Sequence, residues 1–301
     1  MPFDLQGHRG ARGLAPENTL ASFALALRIG VTTLESDMAV TTDSVIVLSH
    51  DPLLNPDIAR GPDGAWLEGK GPAIHHLTYK ELQRYDVGRI DPSTDYRRRF
   101  PHQIPADGAH IPTLNQLFEL GEASGKRPRY NLETKLSPLT PNETLGPEEF
   151  ATKAVAAIRA AHLADRVTIQ SFDWRTLLAA KRIAPEIETV GLTEDTPAWS
   201  PTRSAEGLMS PWFAGVDAAS PQASLPELVH AAGCSTWSPY WRHVDAAALA
   251  LSHRLGLKVV PWTVNEPADI AALIDLGVDG LITDYPDRAI RVLAAKGIKL
   301  E

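Results

Sequence analysis

The chain of 301 residues has only one cysteine, Cys234, which excludes an internal disulfide framework and a zinc site built on cysteines. It also lacks an apolar run of about 18 residues, so we expect no stable membrane insertion. Basic residues are outnumbered, with 29 Lys and Arg against 37 Asp and Glu and a formal charge of −8. This balance disfavours a nucleic-acid binder, because the phosphate backbone of a nucleic acid is bound by clusters of Lys and Arg. We expect a small-molecule partner. The sequence does not indicate which oligomeric state the chain adopts.

The first residues, MPFDLQGHRG, lack the basic segment and the long apolar segment of a secretory signal peptide. For the chain as it stands we therefore expect a cytoplasmic protein. If a leader has been removed, the same sequence is compatible with a periplasmic or secreted protein.

Short β-rich segments alternate with segments of helical periodicity along most of the chain. Leu20, Phe23 and Leu27, for example, follow a helical spacing between the candidate strands FDLQGH and TTLESDMAV. Such alternation predicts parallel strands joined by helical crossovers. About eight such units in this length indicate an α/β fold of the (β/α)8 TIM-barrel type. A doubly wound open sheet is the alternative, and the absence of a G-x-G-x-x-G fingerprint after a strand disfavours it.

Two segments break this rhythm. Residues 52–112, approximately, are rich in Pro, Gly, Asp and Arg and predict an insertion with one short helix, TYKELQRYD. Residues 194–231, approximately, are rich in Pro, Ser and Ala and contain Trp199, Trp212 and Phe213. Long irregular segments in a compact domain are usually functional or disordered. We predict a single domain spanning residues 1–301.

Carboxylates stand at predicted strand ends, where a barrel places its catalytic groups. Glu35 and Asp37 are two residues apart in LESD, so both side chains lie on one face of a strand. Inside a barrel, two bare carboxylates would repel each other, and a divalent cation would keep both ionised. Glu133 in NLETK can supply a third oxygen. Oxygen ligands without cysteine favour Mg²⁺ or Ca²⁺. The alternative is that the strand end is solvated and the carboxylates face water.

Basic groups occur at the same predicted strand ends. Lys135 shares a strand face with Glu133, and it could face a metal-bound ligand, form a simple ion pair or act as a Schiff-base lysine. The neighbouring carboxylate raises the pKa of a lysine and disfavours the last of these. His8 and His50 end two further strands, where they are either solvated or an acid–base pair. Three further residues with polar side-chain atoms stand at predicted strand ends: Gln170, Trp262 and Asp284. The sequence assigns no role to Asp284.

A phosphodiester would use all of these groups. Its oxygens must be held and polarised, its nucleophile must lose a proton, and its leaving alkoxide must gain one. A divalent ion, a lysine, two histidines and Arg9 match those tasks. Arg12, in contrast, is expected to be a surface charge on the turn.

Five segments occur in order along nearly the whole chain: HRGARGLAPENTLASFALAL, LESDMAVTTDSVIVLSHD, NLETK, WTVN and LGVDGLITDYP. Together they resemble the glycerophosphodiester phosphodiesterase family. The resemblance implies a TIM barrel with a small insertion after the second βα region. It also implies hydrolysis of glycerophosphodiesters to glycerol 3-phosphate and an alcohol, with a possible cyclic phosphate formed by attack of the glycerol 2-hydroxyl.

The resemblance further implies a role for each site residue. One divalent cation, Mg²⁺ or Ca²⁺, would be held by Glu35, Asp37 and Glu133. The acid–base pair would be His8 and His50, and the phosphate would be bound by Arg9 and Lys135. An apolar wall for the glycerol carbons would be formed by Phe172 and Trp262, unless these rings are core residues. Supporting roles, such as orienting Arg9 and His8 or capping a helix, would fall to Glu17, Asn18 and Gln170.

Two other functions are compatible with the sequence. A barrel of the sphingomyelinase D type, similar at the histidine and carboxylate positions, would cleave lysophospholipids or other lipid head groups. The aromatic residues of the segment near 194–231 favour it, and the lack of an evident membrane-docking stretch disfavours it. A barrel that binds a phosphorylated ligand without turnover is the second alternative, which the intact histidines and carboxylates disfavour.

Overall fold

The computed structural model describes residues 2–196, 201, 210–216 and 223–300. The strands found in these ranges are β1 (Asp4–Gly7), β2 (Thr33–Val40), β3 (Ile46–Leu48), β4 (Arg129–Thr134), β5 (Val167–Ser171), β6 (Glu188–Thr193), β7 (Thr236–Pro239), β8 (Lys258–Val259) and β9 (Gly280–Thr283). All pairings among them are parallel except that of β3, which runs antiparallel to β2.

A helix follows each parallel strand, as the alternating pattern predicts. The helices of the described ranges are α1 (Leu20–Ile29), α2 (Tyr79–Leu82), α3 (Asp95–Arg99), α4 (Leu114–Ala123), α5 (Pro147–Ala160), α6 (Trp174–Ile183), α7 (Leu225–Ala231), α8 (Ala246–Arg254), α9 (Pro267–Leu276) and α10 (Pro286–Ala295). Short 3₁₀ helices cover Ile74–His76, Pro211–Phe213 and Trp241–His243. The predicted (β/α)8 barrel is confirmed, with α2 and α3 as additions to it.

The barrel closes between β8 and β9, the two ends of the sheet order. The sheet order is β8-β7-β6-β5-β4-β2-β1-β9. Beside β8 and β9, the Asp279 amide donates to the Val259 carbonyl at 3.0 Å and the Ile282 amide to the Pro261 carbonyl at 2.9 Å. Pro261 has no amide hydrogen to give to a ladder, and β8 ends two residues before it.

The first βα unit shows how the core holds the carboxyl end of the first strand in place. The Thr19 side chain caps α1 by accepting from the Ser22 amide at 3.2 Å. Phe23 and Leu27, which carry the predicted apolar stripe, are buried against the sheet. Burial of each such side chain stabilises the fold by about 1.5–3 kcal/mol. The loop between β1 and α1 is therefore fixed at both ends.

The insertion lies between β3 and α4 and has its own small apolar cluster. Leu54, Ile74, Leu82 and Ile111 are buried there against Val47 of β3. The prediction of one short helix was wrong, because α3 occurs in addition to α2. The sequence of α3, DYRRR, has no buried side chain and hence no apolar periodicity to reveal it.

Among the helices in the described ranges, none has both the length and the apolar character to cross a membrane.

Candidate active site

Three carboxylates meet inside the barrel at the carboxyl ends of its strands. Glu35 and Asp37 project from β2 and Glu133 from β4, with Asp37 directly opposite Glu133 in the parallel pair. One ligand oxygen from each residue lies within 4.8 Å of the others, and all three residues are buried. The period of two along β2 and its register with β4 bring them together. An all-oxygen donor set of this size fits a hard divalent cation.

Neighbouring groups fix the orientation of these carboxylates. Glu35 accepts from the Arg9 backbone amide and from the Gln170 side chain, both at 2.8 Å. Asp37 accepts from the Asn18 side chain at 3.0 Å, and the Arg9 Nε lies 3.3 Å from it. Arg9 adopts a left-handed backbone with φ of 50°, a conformation that is unfavourable for a residue with a side chain. That conformation turns its amide toward Glu35.

Burial and mutual repulsion separate the pKa values of the three carboxyls. Burial, together with the charge of Asp37, raises the pKa of Glu35 well above its ordinary value. Burial raises the pKa of Glu133 to about 7, although the Lys135 ammonium opposes the shift. Burial acts in the same direction on Asp37, but Arg9 outweighs it and keeps the pKa of Asp37 below its usual range. The cluster thus retains protons that a cation could replace.

His8 presents one ring nitrogen to this cluster. Its Nδ1 lies 2.7 Å from Asp284 Oδ1, and its Nε2 lies 4.0 Å from Glu35 Oε2. The pKa of Asp284 is far below its usual range because Arg12 and His8 outweigh the effect of burial. An ionised carboxylate only accepts, so Nδ1 carries the proton and Nε2 has a free lone pair. Burial and the Arg12 charge lower the pKa of His8 to about 4, which leaves the imidazole neutral.

His50 provides a second imidazole two residues after β3. Its Nδ1 lies 2.9 Å from Asp51 Oδ1, an arrangement similar to that of His8. Burial and the charges of Arg9 and Lys135 lower the pKa of His50 well below its ordinary value. Both imidazoles line one cavity of about 200 Å³. Two neutral rings therefore face the same small volume.

Arg9 and Lys135 are two of the cations that line that cavity, and each pairs with a carboxylate. Arg9 Nη1 lies 2.5 Å from Glu17 Oε1, and Lys135 Nζ lies 2.8 Å from Glu133 Oε1. Burial alone would lower the pKa of either cation, but the adjacent carboxylates raise it. The contact of Glu17 orients Arg9. Asn18, in contrast, contacts Asp37 rather than His8, and neither residue caps α1, which Thr19 does.

An aromatic corner adjoins the cavity. The rings of Phe172 and Trp262 pack edge to face with centroids 5.5 Å apart. They line this cavity and also a second hollow of about 430 Å³, which Leu136 and Trp212 line as well. Trp212 lies in the segment that the sequence marks as irregular, whereas Trp199 lies outside the described residues.

Arg12 corrects the expectation of a surface charge on the turn. It is buried, and its Nε and Nη2 reach the two oxygens of Asp284 at 2.7 and 3.1 Å. The guanidinium also lies 4.7 Å from the centroid of the Phe100 ring. Sequence reasoning assigned no role to Asp284, although its place after β9 was a signal. Asn265 donates to the same carboxylate at 2.8 Å, so Asp284 connects His8, Arg12 and the loop between β8 and α9.

Replacing Arg12 with alanine should lower the free energy of unfolding by about 3 kcal/mol, because it leaves a buried carboxylate without its bidentate partner. Urea unfolding followed by tryptophan fluorescence measures this. Arg28→Ala, which truncates an exposed arginine in the last turn of α1, is the matched control and should change stability by less than about 0.5 kcal/mol. Equal midpoints for the two variants would contradict the structural role of Arg12.

The chain matches known proteins over nearly its full length. Residues 8–288 match the family described as the glycerophosphoryl diester phosphodiesterase family. A glycerophosphodiester phosphodiesterase from Caldanaerobacter subterraneus subsp. tengcongensis is 28% identical over 297 residues, covering 96% of this chain and 97% of that protein. A second one, from Bacillus subtilis strain 168, is 27% identical over 290 residues, covering 93% and 83% of the two chains.

Solved structures agree with the fold. A proposed glycerophosphoryl diester phosphodiesterase from Silicibacter pomeroyi DSS-3 is 36% identical and superposes with a TM-score of 0.87, covering 100% of this chain and 96% of that one. A phosphodiesterase from Oleispira antarctica, solved in complex with the product sn-glycerol-3-phosphate, has a TM-score of 0.70 at 23% identity and covers 97% of each chain. The second likeness shows a shared fold.

Proposed function

The chain belongs to the glycerophosphoryl diester phosphodiesterase family, and on that premise we propose that it hydrolyses glycerophosphodiesters to glycerol 3-phosphate and an alcohol. The observation that carries the proposal is a cluster of three buried carboxylates, one of which, Glu133, lines a cavity that two neutral imidazoles also line. Phosphodiester cleavage needs charge neutralisation at phosphorus and two proton transfers, and these groups match both needs.

The donor set supports one divalent cation, Mg²⁺ or Ca²⁺, held by Glu35, Asp37 and Glu133. All donors are oxygens, and the raised pKa values of Glu35 and Glu133 are typical of carboxylates crowded without a counter-ion. When bound, the cation would polarise a phosphoryl oxygen and offset charge that develops there. The chain's own cations, Arg9 and Lys135, hold the other phosphate oxygens.

The two imidazoles divide the two proton transfers. One ring nitrogen accepts the proton of the attacking hydroxyl as the new oxygen–phosphorus bond forms. The other imidazole donates a proton to the alcohol oxygen as its bond to phosphorus breaks. Binding of the anionic phosphodiester raises the pKa of the adjacent imidazole, as the acid role requires. His8 and His50, each with Nδ1 held by an aspartate, offer Nε2 for these transfers.

The attacking hydroxyl can come from the substrate itself. The glycerol 2-hydroxyl is tethered near phosphorus, and such intramolecular attack benefits from a high effective molarity. It yields a cyclic phosphate, which water then opens to glycerol 3-phosphate. Phe172 and Trp262 would contact the glycerol carbons and exclude water from this face of the cavity.

The wild-type protein should release glycerol 3-phosphate from glycerophosphocholine, glycerophosphoethanolamine or a related diester in a coupled dehydrogenase assay. We expect kcat of roughly 1–10³ s⁻¹ on the preferred diester, within the usual range of enzymes. Heat-denatured protein is the negative control. Saturable binding of the diesters without release of product would instead favour a non-catalytic phosphate-binding barrel.

Lysophospholipid micelles provide the discriminating second substrate. The hollow lined by Leu136 and Trp212 could accommodate an acyl chain, which is the observation that favours a lipid-cleaving enzyme. We expect the water-soluble diesters to be cleaved with the higher kcat/KM. Cleavage of the micelles alone would replace the proposed substrate class with lysophospholipids.

A further inference from the structure

An exposed arginine of the insertion also lies at the cavity. Arg99, the last residue of α3, is exposed and lines the same cavity as His8, Arg9 and Lys135. It comes from the insertion, whereas the other side chains of the cavity belong to the barrel and its loops. Its guanidinium lies 5.4 and 5.7 Å from the ring centroids of Tyr96 and Phe100. The rings limit its orientation without neutralising its charge.

Arg99 differs from the other cations of the cavity in its partners. Arg9 is paired with Glu17, Arg12 with Asp284, and Lys135 with Glu133. Arg99 forms no salt bridge within 4.0 Å to any carboxylate of the described ranges. Asp57 interacts with it electrostatically over a longer distance. Of the cationic side chains that line the cavity in the described part of the chain, Arg99 alone has no carboxylate partner within salt-bridge distance.

The backbone that carries Arg99 is fixed to the catalytic loop. Tyr96 donates its hydroxyl hydrogen to Glu17, the residue that orients Arg9. Arg12 Nη1 lies 3.3 Å from the same hydroxyl, and its guanidinium lies over the buried Phe100 ring. Aromatic contact between Tyr96 and Phe100, with centroids 5.1 Å apart, stiffens α3. The exposed guanidinium therefore starts from a rigid platform, which lowers the entropic cost of ligand binding.

We propose that Arg99 is a substrate-binding residue that contacts the phosphoryl group of the glycerol phosphate moiety from the insertion side; this rests on the proposed function. A guanidinium offers paired N–H donors that match phosphate oxygens in a bidentate geometry. The diester carries one negative charge and the product glycerol 3-phosphate carries close to two at neutral pH. Arg99 binds both, and it binds the product at least as strongly.

The test compares Arg99→Ala with Arg98→Ala on the cation-loaded enzyme. Arg98 lies on the same helix, is also exposed, and pairs with Asp95 instead of facing the cavity. Loss of the charge-assisted contact from the guanidinium should raise KM for glycerophosphocholine roughly tenfold with little change in kcat. Arg99→Lys keeps the charge without the planar donors, and its KM should lie between those of wild type and Arg99→Ala.

Binding without turnover gives a second, independent result. Isothermal titration of the loaded proteins with glycerol 3-phosphate should show a dissociation constant roughly tenfold higher for Arg99→Ala, with Arg98→Ala close to wild type. Equal KM and equal dissociation constants for Arg99→Ala and Arg98→Ala would overturn the assignment. That result leaves the proposed function intact as long as the wild type is active. Loss of wild-type activity on every diester would instead refute the proposed function.

Discussion

Removal of divalent cations with a chelator should lower the rate of glycerol 3-phosphate release at least about 10³-fold, the largest effect we expect from a change in conditions. The buried carboxylates of Glu35, Asp37 and Glu133 would then face the anionic phosphodiester without a counter-ion. A Lewis acid at phosphorus contributes several kcal/mol of transition-state stabilisation, and each 1.36 kcal/mol corresponds to a factor of ten in rate. The coupled assay, before and after dialysis against the chelator, measures the loss.

Re-addition distinguishes a direct role of the cation from damage to the protein. Titration of the stripped protein with Mg²⁺ and, separately, Ca²⁺ should restore the rate and identify the preferred ion. Asp37→Asn should remove the saturable response to either ion. Asp173→Asn is the matched control, since Asp173 is an equally buried aspartate that caps α6 away from the cavity. Full activity after exhaustive removal of the metal would refute the metal site.

The sequence revealed those parts of the site that follow a local rule. Glu35 and Asp37 share a face because side chains alternate along a strand, and that rule holds at any position in a sheet. His8 and Lys135 could be placed because the carboxyl ends of parallel strands meet at one end of a barrel. The fold class followed in the same way from the alternation of two hydrophobic periods.

Contacts between distant segments could not be read from spacing. Arg12 and Asp284 lie 272 residues apart and meet only because β1 pairs with β9 in the closed barrel. A charged residue in a Gly-rich turn is usually exposed, so the burial of Arg12 was not expected from its neighbours in sequence. The strand pattern of residues 46–48 could not show that β3 runs antiparallel to β2, because one strand has the same periodicity in either orientation.

Replacing either His8 or His50 with alanine should lower kcat by roughly 10²–10⁴-fold, the usual contribution of a general acid or base. This corresponds to about 3–5 kcal/mol of transition-state stabilisation. KM should change much less, because Arg9, Lys135 and the carboxylates remain. His253→Ala is the matched control, since His253 also pairs with an aspartate, Asp279 at 3.0 Å, but does not line the cavity. A wild-type kcat in either cavity variant would exclude that histidine from proton transfer.

The two histidines should differ in a way that a structural role would not produce. The His50 side chain is 33% exposed and that of His8 is 11% exposed. Added imidazole should therefore restore more activity to His50→Ala than to His8→Ala.

Asp284→Asn should lower kcat roughly 10²-fold or more, because an amide no longer enforces the Nδ1–H tautomer of His8. Asp284 is a buried partner of Arg12, so Asp284→Asn also removes part of that ion pair. Its kcat should therefore be compared with that of Arg12→Ala under conditions where the two variants have the same free energy of unfolding. A loss of kcat in Asp284→Asn beyond that of Arg12→Ala would then report the orientation of His8 rather than the packing of the loop.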